Sequence, residues 1–419
     1  MKTYATLILG CKVNNFEAHA LKEQMNKDYQ EVDFKDIADI YVIYSCCVTN
    51  VAESKTRKFI HSARRRNPNA YIVVVGCYAQ TKPDHSVFED VDLVIGSKYK
   101  DRIKEFIDEG VKGKKVVDLT GAPFENLYVH EFLDQTRATL KVQDGCNQFC
   151  AFCVIPYARG RERSAKLIDV VNEAKELVKS AKEIVLTGIH TGRYYDGEHH
   201  LIDLLNELVK IEGLETIRLS SIEITEITDE IIDLIAKNPK LGLNLHIPLQ
   251  AGSDKILKLM NRPYTTKEFI DRINYIRQHI PHVSISTDLI VGFPNETEED
   301  FQMTLDTLDK VQFSFIHVFP YSRKTLTRAD LMDGHLDESV KKERVRRVIE
   351  FEKPISKAYN ESFINQEVLV LAERSHDGKT FGHSKEYLDV EIKGELNSNE
   401  FYRVLVKEAD EEGVKGELI

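Results

Sequence analysis

The feature that most constrains this chain is an alternation of strand-like and helix-like segments that occurs in two separate regions. In the first hundred residues, β-prone runs at 4–9, 41–45 and 71–75 are separated by helical stretches at 15–25 and 51–66. In the second region the β-prone runs are 138–142, 183–187, 216–220, 243–247, 283–288 and 313–319, with helical stretches at 166–180, 201–211, 227–236 and 298–308 between them. Strands alternating with helices imply parallel sheets with right-handed crossovers, so the fold class is α/β. Six such units predict a partial (β/α)6 barrel whose site lies at the C-terminal rim of its strands. Residues 338–360 read as a charged connecting helix interrupted at Pro354. Short alternating segments at 368–372, 387–392 and 402–406 then predict a small antiparallel β-barrel. The expected domains are 1–110, 132–358 and 359–419.

Composition excludes several classes. A formal net charge of −11 argues against a chain that coats nucleic acid by global charge, while leaving room for a local basic groove. No apolar run approaches the length of a membrane span. Gly10-Cys11, following the apolar run at 4–9, has the look of a lipoprotein signal. That run is too short for a secretory core, and only Lys2 precedes it. A buried strand ending at a functional cysteine is the better parse.

Seven cysteines, an odd number, argue against a disulfide framework, and the chain is read as cytoplasmic. Cys11, the pair Cys46-Cys47, and Cys77 each fall just past a β-prone run. Ligands of open α/β sheets bind outside the carboxyl ends of the strands, so these thiols are expected to meet at one edge. The alternative is that they are buried structural cysteines. The strongest signal is Cys146-Asn147-Gln148-Phe149-Cys150-Ala151-Phe152-Cys153, directly after the first barrel strand. Three thiolates on one loop can hold three irons of a [4Fe–4S] cube and leave the fourth open. Zinc is the rival, but structural zinc requires a fourth ligand, and no His or Cys follows closely.

This loop, with Phe152 before its last cysteine, resembles the radical S-adenosylmethionine (SAM) superfamily. Its continuation through Val154-Ile155-Pro156-Tyr157-Ala158-Arg159-Gly160-Arg161-Glu162-Arg163-Ser164 is similar to the methylthiotransferase family within it. So are Gly10-Cys11-Lys12-Val13-Asn14, Gly76-Cys77-Tyr78-Ala79-Gln80, His246-Ile247-Pro248-Leu249-Gln250 and Asp288-Leu289-Ile290-Val291-Gly292-Phe293-Pro294. The resemblance implies an N-terminal methylthiotransferase domain, a radical SAM partial barrel and a C-terminal RNA-binding TRAM barrel. It implies two [4Fe–4S] clusters with SAM as cosubstrate: one on Cys146, Cys150 and Cys153, the other on Cys11, Cys46 and Cys77. Cys47 departs from the family pattern and leaves two candidate thiols at that strand end. The first cluster would cleave SAM to give a 5′-deoxyadenosyl radical that removes the unactivated hydrogen on carbon 2 of adenine. The second would hold the sulfur to be methylated and transferred.

On the same resemblance and the rim rule, Phe152, Thr187, Gly188, His190, Glu223, Gln250 and Ile290 are candidate SAM contacts. Arg159, Arg161 and Arg163, next to the cluster loop, are candidate clamps for anticodon-loop phosphates. Arg57-Lys58 and Arg64-Arg65-Arg66 extend that basic footprint, and Gly382-His383-Ser384 with Tyr387 would add stacking. Arg344, Arg346 and Arg347 read as a solvated helix face. Partners would be the anticodon stem-loop of tRNA, an electron donor and a sulfur donor, with no membrane. Gly10-Cys11-Lys12-Val13-Asn14, Ser220-Ser221-Ile222-Glu223 and Gln148-Phe149 most resemble the branch acting on N6-threonylcarbamoyladenosine at position 37. Other branches act on N6-isopentenyladenosine or on a ribosomal-protein aspartate. A different class, a non-catalytic iron–sulfur RNA-binding or redox-sensing protein, would lack the intact loop and rim motifs. Leu326 stands where relatives often carry Gly, which leaves that loop's backbone open.

Overall fold

The computed structural model describes residues 1–82, 85–132 and 136–419. The first region forms a six-stranded, all-parallel sheet in the order β2-β1-β3-β4-β5-β6. Its strands are β1 (Thr3–Ile8), β2 (Gln30–Glu31), β3 (Ile40–Ser45), β4 (Tyr71–Gly76), β5 (Leu93–Ile95) and β6 (Gly113–Lys115). The central strands β3 and β4 are apolar and buried along almost their full length, as a sheet covered on both faces requires. Helices Lys12–Met25 and Asn50–Arg66 begin at the carboxyl ends of β1 and β3. Those strand ends therefore carry the cysteines.

The second region holds the six expected strands: β7 (Arg137–Lys141), β10 (Glu183–Thr187), β11 (Thr216–Leu219), β12 (Asn244–His246), β13 (Ser284–Val291) and β14 (Phe315–Pro320). A two-stranded ribbon of β8 (Gln143–Asp144) and β9 (Arg163–Ser164) flanks the cluster loop. The ladder is divided into β11-β10-β7 and β12-β13-β14, joined through the bridge Ile217↔Leu241. Alternate residues of these strands and the surrounding helices share one large apolar core. The sequence reading missed helix Thr266–His279, although Thr265 and Glu268 form a capping box at its start.

Two expectations about the connecting helix are corrected. Helix Glu338–Glu361 runs unbroken through Pro354. Pro354 and Glu350 are both exposed, so the carbonyl deprived of its hydrogen bond faces water while the opposite side packs on β14. Arg344 is buried and bonds Glu296 at 2.8 Å, so it is not on a solvated face. The chain ends in a closed barrel of β15 (Glu367–His376), β16 (Lys379–Ser384), β17 (Asp389–Lys393), β19 (Val414–Leu418) and β18 (Phe401–Ala409). All its pairings are antiparallel except β17 with β19.

Candidate metal centres and active site

The loop between β8 and β9 carries Cys146, Cys150 and Cys153, all free and half-buried. Its backbone is clamped at the centre. Ala151 N donates to Met260 O at 2.8 Å, and Ala151 O accepts from Ala329 N at 2.8 Å. Leu326, in the loop that supplies Ala329, has φ +76°, so it takes the glycine-like conformation despite its side chain. Phe149 sits at φ +50°, a second strained residue within the cluster loop itself. Arg262 Nη1 donates to Cys150 Sγ at 3.2 Å, and His190 Nδ1 lies 3.4 Å from Cys146 Sγ. Burial first, then Cys150 and Cys146, push the Cys153 thiol up to about 12. Coordination to iron as thiolates relieves that crowding. Three converging free thiols with N–H donors aimed at two of them fit a [4Fe–4S] cluster.

The cysteines of the first region also meet. Burial, then Cys77 and Cys11, push Cys46 up to about 12. A Cβ at Gly10, φ +103°, would lie 2.8 Å from Cys46 Cβ and 3.0 Å from its Sγ, so glycine alone leaves the thiols this space. Cys47, by contrast, is part of an apolar cluster with Ile43, Val74 and Ala79. Its thiol donates to Cys77, which that bond, against burial and with help from Arg159, draws down to about 6. Cys153 acts electrostatically on Cys47, so the two cysteine sets adjoin.

Between them sits Arg159, fully buried. Its Nε donates to Cys77 Sγ at 3.3 Å, Nη1 to Glu17 at 2.9 Å and to Asp144 at 3.3 Å, and Nη2 to Asn14 at 2.7 Å. Glu17 also binds Lys100 and Lys141, each at 2.8 Å. Burial alone would raise the Glu17 carboxyl, but Arg159, Lys100 and Lys141 hold it well below the usual carboxylate range. Arg159 therefore corrects the expectation of a phosphate clamp: it is a bolt between the sheet domain and the barrel. Arg163 is half tied down by Asp144 at 3.1 Å, whereas Arg161 is exposed and lies 4.5 Å over the Phe149 ring. Arg64 is likewise pinned, to Asp92 at 2.8 Å. In the terminal barrel, Tyr387 accepts from Arg137 at 3.0 Å, and Ser384 O accepts from Arg218 at 2.7 Å. Those residues dock the terminal barrel onto the central one and are not a free stacking surface.

The rim residues fall at the strand ends as expected. Gln143, fully buried, accepts from the backbone N–H groups of Ile189 at 3.0 Å and His190 at 2.7 Å. A Cβ on Gly188 would touch Gln143 at 3.0 Å, so glycine there permits the close approach beside Thr187. His190 Nε2 lies 2.8 Å from Glu226 and Nδ1 3.3 Å from Glu162. Burial works against its charge, but Cys146, Glu162 and Glu226 push it up to about 12. Glu223 pairs with Arg262, the same arginine that reaches Cys150. Gln250, at φ +66°, and Ile290 are joined through Ile290 N donating to Gln250 O at 2.9 Å. Phe152 packs half-buried against the barrel core. Sequence reasoning missed Arg262, Glu162, Glu226 and Glu17. None was singled out as a site residue, although Glu162 and Asn14 stood within strings that resemble the family.

Residues 140–308 match the Radical SAM superfamily, and residues 3–96 match Uncharacterized protein family UPF0004. The solved radical S-adenosylmethionine methyltransferase TsrM from Kitasatospora setae shares the fold at a TM-score of 0.55 and 15% identity, covering 91% of this chain and 81% of that one. Barrel and thiolate loop thus define a radical SAM enzyme, whose class uses SAM and a [4Fe–4S] cluster. Two curated proteins named threonylcarbamoyladenosine tRNA methylthiotransferase MtaB are each 40% identical. The one from Bacillus subtilis covers 94% of this chain and 91% of its own length, and that from Aquifex aeolicus 95% and 98%. A tRNA-2-methylthio-N(6)-dimethylallyladenosine synthase from Acetivibrio thermocellus is 36% identical, over 89% of this chain and 81% of that protein. The chain belongs to the methylthiotransferase family of radical SAM enzymes. Among the described residues, no helix is long and apolar enough to cross a membrane.

Proposed function

We propose that this protein is a tRNA methylthiotransferase that converts N6-threonylcarbamoyladenosine at position 37 to its 2-methylthio derivative. The observation that carries the reading is the adjacency of two cysteine sets, one on the barrel loop and one at the sheet edge, with Arg159 between them. Cys146, Cys150 and Cys153 would hold the cluster that binds SAM, and Cys11, Cys46 and Cys77 a second [4Fe–4S] cluster. Cys46 is assigned over Cys47 because it shares the Gly10 cradle beside Cys11. When bound, the barrel cluster and SAM supply one-electron cleavage to a radical able to take the hydrogen from adenine carbon 2.

The chain's own groups orient these parts. Arg262 and His190 hold two of the loop sulfurs by N–H contacts. Thr187, Gly188, Gln250 and Ile290 line the rim where the methionine end of SAM would rest, with Phe152 behind the loop. Glu223 is committed to Arg262, so its part is to orient that arginine. Arg161 is the arginine free to meet an anticodon-loop phosphate. The reaction calls for an electron donor and a sulfur donor, and on this reading the protein works with tRNA in the cytoplasm. The domains carrying these roles are 1–110, 132–358 and 359–419.

Mass spectrometry of tRNA nucleosides from cells lacking this protein tests the reading. Loss of 2-methylthio-N6-threonylcarbamoyladenosine alone is expected. Loss of the isopentenyl analogue instead would overturn the substrate assignment. Failure of the anaerobically reconstituted protein to form 5′-deoxyadenosine would favour a non-catalytic iron–sulfur protein.

A further inference from the structure

Beyond β14 the chain makes a short loop that touches both regions of the molecule. Tyr321 N donates to Val291 O at 2.8 Å, which fixes the start of the loop to the barrel rim. Residues 324–327 form a β-turn, in which Lys324 O accepts from Thr327 N at 3.2 Å and from Thr327 Oγ1 at 2.7 Å. Leu326, third in that turn, has the positive φ of +76° that a type II turn asks for and glycine normally supplies. A strained turn of this kind persists only where its surroundings hold it.

Two grips hold it, and each leads to a cysteine set. On one side Ala329 N donates to Ala151 O at 2.8 Å, between Cys150 and Cys153. On the other, Lys324 reaches out of the barrel into the sheet domain. Its side chain is buried, and its ammonium donates to Glu53 Oε1 at 2.7 Å and to Asn50 Oδ1 at 2.9 Å. Both acceptors lie in the first turn of helix Asn50–Arg66, whose N-cap Thr49 stands three residues past Cys46. That helix is in turn tied to the one that begins at Cys77, because Arg57 Nη1 donates to Tyr78 Oη at 2.8 Å. The six residues 324–329 thus bind the mount of the barrel loop to the mount of the sheet-edge thiols.

We propose that Lys324 is a positioning residue that fixes the separation of the two cysteine centres and so keeps radical formation coupled to sulfur transfer. This rests on the function proposed above and adds what holds its two halves in step. Removal of hydrogen and formation of the carbon–sulfur bond take place at one base carbon, so both centres must stay within its reach. A misplacement of about 1 Å far from the chemistry can cost about a hundredfold in rate. Radical formation calls only on the barrel loop, SAM and an electron, and is indifferent to that separation. With the strap loosened, the radical is quenched by an electron from the reductant and a proton, instead of by the base hydrogen. 5′-Deoxyadenosine then accumulates without product.

The test uses the full chain with both clusters reconstituted, incubated without oxygen with SAM, dithionite, sulfide and an anticodon stem-loop RNA carrying threonylcarbamoyladenosine. Both 5′-deoxyadenosine and methylthio product are measured by mass spectrometry. Lys324→Met keeps the stem and removes the ammonium, and Glu53 retains Lys82, at 3.2 Å, as a second cation, so no buried carboxylate is left unpaired. The variant is expected to hold its full iron and to form 5′-deoxyadenosine at close to the wild-type rate. Its 5′-deoxyadenosine per product should rise about tenfold or more. Glu53→Gln should shift the ratio the same way, and the double variant no further than the larger single effect, since both remove one contact. Pulsed electron paramagnetic resonance gives a readout apart from turnover: the distance distribution between the two reduced clusters should broaden in Lys324→Met. Should that variant lose iron, Glu53→Gln carries the test. An unchanged ratio at full iron content would overturn the inference, as would a fall of both products in step, the mark of a merely structural lysine. A wild type that modifies only an isopentenyl RNA overturns the substrate assignment instead, and the ratio is then read on that RNA.

Discussion

The two cysteine sets reach similar constellations by opposite routes. Cys146, Cys150 and Cys153 lie on one loop, so their convergence is a local matter of turn geometry and the clamp on Ala151. Cys11, Cys46 and Cys77 sit at the ends of three strands that become neighbours only when β1, β3 and β4 pair in register. The first set should thus tolerate disturbance of the sheet domain, while the second should fail with it. Arg159 is where the two routes meet, since it follows the barrel loop in sequence yet binds Cys77 and Glu17 of the sheet.

The largest expected effect comes from Cys150→Ala, which removes a loop thiol. Anaerobic turnover should then give no 5′-deoxyadenosine, and persistence at the wild-type rate would break the comparison at its root. Cys77→Ala should be more selective: iron per chain falls to about half of two filled cubes, 5′-deoxyadenosine still forms, and methylthio product disappears. Cys46→Ala should behave as Cys77→Ala does, whereas Cys47→Ala should keep its full iron. The reverse pattern would move the ligand by one residue.

Arg159→Ala leaves buried Glu17 without its main cation, and Asp144 with only its other cations, Lys141 first among them. A loss of about 3–5 kcal/mol in denaturant unfolding is expected, the cost of breaking a buried ion pair from one side. Sheet-edge iron should be lost before barrel iron. If both sets lose iron in step, the bolt is serving the whole fold and not the sheet edge.

The smallest effect concerns the segment between the two regions. Glu173 accepts from Val129 N at 2.9 Å, and burial, opposed by that bond, pushes its carboxyl from 4.5 to about 8. The folded state therefore holds a proton that the unfolded chain gives up, and stability should fall as pH rises from about 4.5 to 8, then level off. Glu173→Gln should flatten that slope and raise the melting temperature at pH 8 by a few degrees, on the order of 1 kcal/mol or more. An unchanged pH profile in the variant would assign the slope to other groups.

Much of this was legible in the amino-acid order. The strand–helix alternation located three of the six strands of the parallel sheet and all six barrel strands to within about three residues, because strand and crossover periods are local signals, while the short edge strands β2, β5 and β6 went unread. The C-x3-C-x2-C loop was readable for the same reason. Pro354 misled because a proline on the wet face of a well-packed helix costs less than propensity implies. Arg159 misled because a charge looks the same in a sequence whether it meets solvent or a buried glutamate 142 residues away.

By itself, then, the order of residues determined which segments become strands and which loop carries three thiols, since both depend on neighbours along the chain. Tertiary structure alone decided that Arg159 is interior and that Arg262 and His190 reach the loop sulfurs. Each of those facts depends on the partner that folding brings alongside, and burial and charge pairing are properties of that encounter.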